Sequence, residues 1–260
     1  MADFLINPFL ALILIAVICG MLGSFVLWKN LSYFGDAISH SMLLAIAIAL
    51  VIKMNLWLAM LVIAGCMIIV IRYFIDNKYL KNDTILAITT YCFVALALLV
   101  ADLNGGIKFN NYIFGEVLTA NKSDVIALLL ILVLTILYLT IAFRKILLIR
   151  INEDLARIKN IKIDFWQISF LFLLSILIAL AMQIVGVLLL TAMMIIPSAV
   201  ARITANSPLQ MIIISVIIGV VSAIAGFYFA VKFNLNASAT MVATTGLIFI
   251  VNNLIVKLKK

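Results

Sequence analysis

The chain has 260 residues, 67% of them hydrophobic and only 11% charged, with a formal net charge of +8. A soluble domain of this size is about half apolar and about a quarter charged. No water-soluble fold hides this much apolar surface behind so few charges, so the solvent is lipid. The basic residues sit in short loops between apolar runs, as topology determinants do, which argues against a nucleic-acid partner. The longest polar stretch, 144–164, is about one short helix with its flanks, which leaves no room for an ATP-binding or extracellular module within the chain. Cys19, Cys66 and Cys92 stand alone inside apolar segments and read as small core hydrophobes.

A spanning helix needs roughly 17 to 25 apolar residues. The N-terminus lacks a basic region, and the apolar run after it is too long for a signal peptide. It reads as a retained first span over 8–28. Next comes a short segment over 36–52, which follows Gly35 and carries polar residues in its first turns. Full-length spans are expected over 56–75, 85–101, 125–143 and 165–185. A second short segment runs over 186–201 with Pro197 inside it, and the last two spans cover 210–231 and 239–256. The expected fold class is an all-α polytopic membrane protein of about nine transmembrane segments, seven full and two short or broken, forming one domain over 1–260. With the N-terminus outside and nine crossings, fourteen of the 18 Lys and Arg residues fall inside, as the positive-inside rule demands. Glycine- or proline-interrupted segments in a helical bundle are tolerated where protein or water satisfies the freed backbone. Gly35, Gly186 and Pro197 therefore mark a translocation pathway, with Arg202 anchoring the inner end of the second short segment.

The most informative stretch is Ser32-Tyr-Phe-Gly-Asp-Ala-Ile-Ser-His-Ser-Met-Leu-Leu44. Asp36 and His40 are four residues apart, so on a helix they share one side, with Ser39 beside them. Carboxylate and imidazole are good ligands for zinc, manganese and iron, and His40 is the sole histidine. Two ligands leave the coordination shell incomplete, which suits a pathway that must release its ion. A second reading fits the same spacing: Asp36 caps a helix that starts after Gly35, with His40 bonded to it.

In the polar stretch, Asn152, Glu153 or Asp154 can cap a short helix whose apolar side is Leu155 and Ile158. Such a helix is either a docking element for a partner or an interfacial helix held at anionic lipid. A further stretch, Asn111-Tyr-Ile-Phe-Gly-Glu-Val-Leu-Thr-Ala-Asn-Lys-Ser-Asp124, resembles a surface helix leading into the next span. Its Glu116 either meets an arriving cation or is simply solvated.

Three motifs in register carry a resemblance. Gly35-Asp-Ala-Ile-Ser-His-Ser41, Phe114-Gly-Glu-Val-Leu118 with Ser123-Asp124, and Gly186-Val-Leu-Leu-Leu-Thr-Ala192 through Ile196-Pro-Ser-Ala-Val-Ala-Arg202 resemble the motifs of zinc, manganese and iron ABC-importer permeases. The resemblance covers about residues 8 to 256. It implies a homodimeric type II importer fold, a separate cytoplasmic ATPase and an extracytoplasmic metal-binding protein. It implies an ion pathway at Asp36 and His40, and a coupling segment over about 150–163 in which Asn152, Glu153, Asp154, Ala156 and Arg157 meet the ATPase. Two departures stand out: Asn160 where glycine is frequent, and Asn236-Ala-Ser-Ala in place of a Pro-Ser-Gly run. The implied function is ATP-driven import of a divalent metal, zinc first and otherwise manganese or iron, across a bacterial cytoplasmic membrane by alternating access. ATP is hydrolysed by the partner, this chain is no enzyme, and it holds no covalently bound cofactor. The alternatives are a secondary metal transporter driven by an ion gradient, which would be longer and carry carboxylates within its spans, and a membrane scaffold.

Overall fold

The computed structural model describes residues 2–29, 31–75, 82–104, 109, 113 and 115–258, and every regular element among them is helical. The helices are α1 (Ala2–Trp28), α2 (Ser32–Ile52), α3 (Leu56–Ile75), α4 (Asn82–Leu103), α5 (Lys122–Ile151), α6 (Glu153–Ile158), α7 (Ile163–Thr204), α8 (Pro208–Phe233) and α9 (Ala237–Leu258). A single 3-10 turn, Val117–Thr119, precedes α5. Among the described residues eight helical stretches are long and apolar enough to cross a membrane, and Leu189–Thr204 is a further apolar helical stretch below that length. The chain is a multi-pass membrane protein, and the exposed surface fits: Ile69, Leu130, Val133 and Leu247 are each more than three-fifths exposed, as side chains facing lipid are.

One expectation about the short segments is corrected. The segment expected over 36–52 begins at Ser32 and is a 21-residue helix, long enough at about 1.5 Å per residue for a hydrocarbon core of about 30 Å. Gly35 lies inside its first turns and does not interrupt it. The second short segment holds Pro197 inside it as expected, and the helix runs on through the proline to Thr204. Only Gly186 in α7 leaves helical geometry, at φ 80° and ψ 163°.

Local chemistry fixes the other helix ends. Ser207 accepts the Gln210 backbone N–H at 3.2 Å and Pro208 opens α8. Proline at that position gives up a donor that would have had no partner in the helix. At the start of α5 the Asp124 carboxylate accepts the Asn121 N–H at 2.9 Å, the reciprocal half of a capping box. At the end of α8, Asn234 sits at φ 54°, the left-handed position that asparagine and glycine tolerate.

The chain forms two compact units. One comprises Met1–Ser32, Asn110–Leu132 and Leu180–Lys260. In it α1 lies backbone to backbone against α8: a Cβ at Gly20 would fall 2.8 Å from Val216 Cα. Small residues allow this approach, the usual way helices gain contact where lipid removes the hydrophobic driving force. The α8–α9 pair is tied by Thr240 Oγ1 donating to Gly226 O at 2.9 Å and Thr244 Oγ1 to Ser222 O at 3.2 Å. Ser198 and Ser215 hydroxyls meet at 2.8 Å in the buried interior.

The other unit comprises Tyr33–Phe109 and Val133–Ala179. Here Arg72, in the last turn of α3, forms an ion pair with Asp164 in the first turn of α7. The Tyr138 hydroxyl donates to Trp166 O at 3.2 Å and lies 3.0 Å from Ser169 Oγ. Lys145 Nζ sits 4.3 Å over the Trp166 ring, an attraction between cation and ring quadrupole.

Candidate functional site

The α2 helix sets the first site. His40 Nε2 lies 3.4 Å from Asp36 Oδ1, one helical turn apart, with the side chains 30% and 43% exposed. That separation is longer than an ordinary hydrogen bond. It equals the edge of a coordination tetrahedron: two ligands bonded at about 2.1 Å and held at a tetrahedral angle stand about 3.4 Å apart. Both groups are open enough to be reached and close enough to hold one cation together. Because α2 starts at Ser32, Asp36 lies beyond the first turn and does not cap the helix, so the capping reading falls. Ser39 does not join the pair; it is buried and donates to Gly35 O at 2.7 Å. Among the described residues no group of three or more His, Cys, Asp or Glu side chains gathers anywhere, so the pair offers two donor atoms at most within one chain.

The second site is α6. Asn152 is its N-cap, with Oδ1 accepting the Leu155 N–H at 3.0 Å. Glu153 and Asp154 occupy the first turn, where the helix dipole favours negative charge. Arg157 bonds back to Glu153 Oε1 at 3.1 Å. Ala156 is fully buried while Leu155 and Ile158 are exposed, so α6 rests on Ala156 and offers its apolar side outward. Asn160 resolves the missing glycine. At φ 54° it takes the left-handed position. Its N–H bonds Arg157 O at 2.9 Å, and the Ile161 N–H bonds Ala156 O at 3.0 Å. This pair of bonds is the usual glycine-type helix stop. The helix therefore ends as a glycine would end it.

The third feature is the break in α7. Gly186 and Gly115 both have positive φ, 80° and 68°, and they touch: a Cβ on Gly115 would meet Gly186 N and the Val185 carbonyl carbon at 2.3 Å. The Val185 carbonyl accepts a 2.9 Å bond from the Ser238 hydroxyl of α9. Beyond the break, Pro197 is buried mid-helix and Arg202 is exposed in the last turn, where a cation complements the dipole. Beside Gly115 an open cavity of about 570 Å³ is lined by Leu5, Glu116, Val117, Thr119, Phe227, Asn234 and Ser238, with neighbours. Glu116 is exposed at its wall, and its carbonyl accepts the Thr119 hydroxyl at 2.7 Å. Phe114 of the second motif lies outside the described residues.

Of the features expected from the sequence, the structure places Asp36 and His40 one turn apart, a short helix capped by Asn152 with Glu153, Asp154, Ala156 and Arg157 in it, and a break at Gly186. Sequence reasoning missed Gly115 as the partner of the break, Ser238 as its bonded donor, and the Arg72–Asp164 pair. Ser238 left one signal, as the serine retained within the altered Asn236-Ala-Ser-Ala run.

The model of the ABC 3 transport family matches residues 1–256. The high-affinity zinc uptake system membrane protein ZnuB of Buchnera aphidicola subsp. Acyrthosiphon pisum is 30% identical over 257 residues, 98% of each chain. The manganese import system permease protein ScaB of Streptococcus gordonii is 30% identical over 250 residues, 96% of this chain and 90% of that one. Among solved structures, a chain of PsaBC from Streptococcus pneumoniae in complex with Fab superposes with a TM-score of 0.84 at 28% identity. The alignment covers 96% of this chain and 90% of that one.

Proposed function

The chain belongs to the ABC 3 transport family, and from that premise we infer that it is the membrane permease of an ATP-driven importer for a divalent metal, zinc or manganese. The observation that carries the reading is the family match over residues 1–256, and the 3.4 Å spacing of His40 Nε2 and Asp36 Oδ1 supports a place on α2 where one ion could meet two donors. The relatives' names, a zinc uptake membrane protein and a manganese import permease, support the same cargo class.

In this reading the permease works as a homodimer in a bacterial cytoplasmic membrane, with its N-terminus outside and all 260 residues in one permease domain. A metal-binding protein delivers the ion from outside. A cytoplasmic ATPase docks on α6, where Glu153, Asp154 and Arg157 present charge around the buried Ala156. ATP binding and hydrolysis in that partner rock the halves between two facings. The ion passes Asp36 and His40, whose two donors per chain hold it weakly enough to let it go. The permease itself makes and breaks no covalent bond.

The test is uptake of radiolabelled zinc and manganese into vesicles carrying this chain with its ATPase and binding protein. ATP-dependent uptake that falls at least tenfold in His40→Ala and Asp36→Ala, at equal membrane levels, is the expected result. Wild-type rates in both variants would remove the ion site, and uptake that ignores ATP but follows a proton or sodium gradient would remove the importer reading.

A further inference from the structure

In an unbroken helix the Val185 carbonyl would accept the N–H four residues on. The turn at Gly186, φ 80° and ψ 163°, carries the chain off that ladder. A carbonyl freed inside a membrane protein needs another donor. The Ser238 hydroxyl supplies it at 2.9 Å, buried, across 53 residues of sequence.

This serine differs from others in the helices. Ser24, Ser39, Ser175 and Ser222 each donate to the carbonyl four residues earlier in their own helix. Ser238 is the second residue of α9, so no turn of α9 precedes it to claim its proton, and the hydroxyl reaches to α7 instead. Its position is fixed from below, since Thr240 and Thr244 tie α9 to α8. Gly115 packs on the break as well, so closely that a Cβ there would fall 2.3 Å from Gly186 N. One hydroxyl on a fixed post therefore holds the only non-helical residue described inside α7.

We propose that Ser238 is a positioning residue for transport. Its hydroxyl holds the α7 break in the bent form, and the Val185 bond is made and broken as the half-helix Leu189–Thr204 moves during the cycle. This rests on the alternating-access reading given above. A serine hydroxyl suits the task because it rotates freely and its bond is of modest strength.

The experiment compares wild type, Ser238→Ala and Ser238→Thr, each assembled with ATPase and binding protein in vesicles. Maximal uptake rate, apparent KM for zinc or manganese, and ATP hydrolysed per metal transported are recorded. Ser238→Ala is expected to lower the maximal rate about three- to tenfold, the effect of one hydrogen bond. KM stays unchanged because Asp36 and His40 are untouched, and ATP spent per metal rises. Ser238→Thr keeps the hydroxyl and brings the ATP ratio back. Wild-type rate and ratio in Ser238→Ala overturn the proposal. So does a fall in rate that tracks the melting temperature and leaves the ratio unchanged, since that is a folding role alone. If Ser238→Ala fails to accumulate in the membrane, Ser238→Cys, a weaker donor, is read by the same quantities. Absence of ATP-dependent uptake in wild type would sink the importer reading instead, a distinct outcome.

Discussion

Asn160 shows how a single backbone angle can replace a motif residue. Its φ of 54° lets it stop α6 with two bonds to preceding carbonyls, so the substitution for glycine changes the side chain and leaves the geometry. Asparagine tolerates this region, whereas a β-branched residue does not. Asn160→Gly is therefore expected to leave melting temperature and ATPase association at wild-type levels. Asn160→Val is expected to cost about 1–3 kcal/mol and to weaken copurification of the ATPase. Equal copurification by the two variants would show that the stop is dispensable. The Asp36–His40 pair belongs to the same scale. Its four-residue spacing was legible because helical periodicity alone puts both on one side. Which way Ser39 turns was not legible, since a serine can bond its own helix or point into a pathway, and only packing decides.

At the scale of elements, apolar length located seven spans well, because a run of about 20 apolar residues has few alternatives in lipid. The polar opening of α2 misled the same reasoning. Ser32, Tyr33 and Gly35 look like loop residues, but a helix end with Tyr33 exposed accommodates them. Pro197 was expected inside the second short segment and lies there. In a membrane helix neighbouring groups can satisfy the carbonyl a proline frees, so the helix continues. Gly186 was read correctly as a break, and its conformation lies in a region that is essentially glycine-only. Gly186→Ala is expected to cost about 1–3 kcal/mol and to abolish most uptake. Gly115→Ala, whose new methyl would lie 2.3 Å from Gly186 N, is expected to do the same. Melting curves with uptake assays check both, and a normal melting temperature in each would mean the break relaxes freely.

Across the whole molecule, the contacts that matter join residues far apart in sequence, and periodicity is silent on these. Arg72 and Asp164 are separated by 92 residues, and nothing in either local pattern announces the other. The pair links the end of α3 to the start of α7, a few residues beyond α6. With Asp164 68% exposed, solvent screens the charges and the stabilisation stays at or below about 1 kcal/mol. Asp164→Asn is thus expected to shift the melting temperature little. A large drop would show that the pair is shielded in the membrane-embedded protein.

The half-helix after the break has a consequence for biogenesis. Leu189–Thr204 spans roughly 24 Å, short of a hydrocarbon core of about 30 Å, and it ends beside the charged Arg202. A segment this short has little insertion energy of its own when it leaves the ribosome. Only three residues separate it from α8, and the Ser198–Ser215 bond ties the two together. The half-helix is therefore expected to settle in the bilayer together with α8, and an insertion assay on chains arrested after Thr204 and after Phe233 checks this: equal anchoring of the half-helix in both would overturn it.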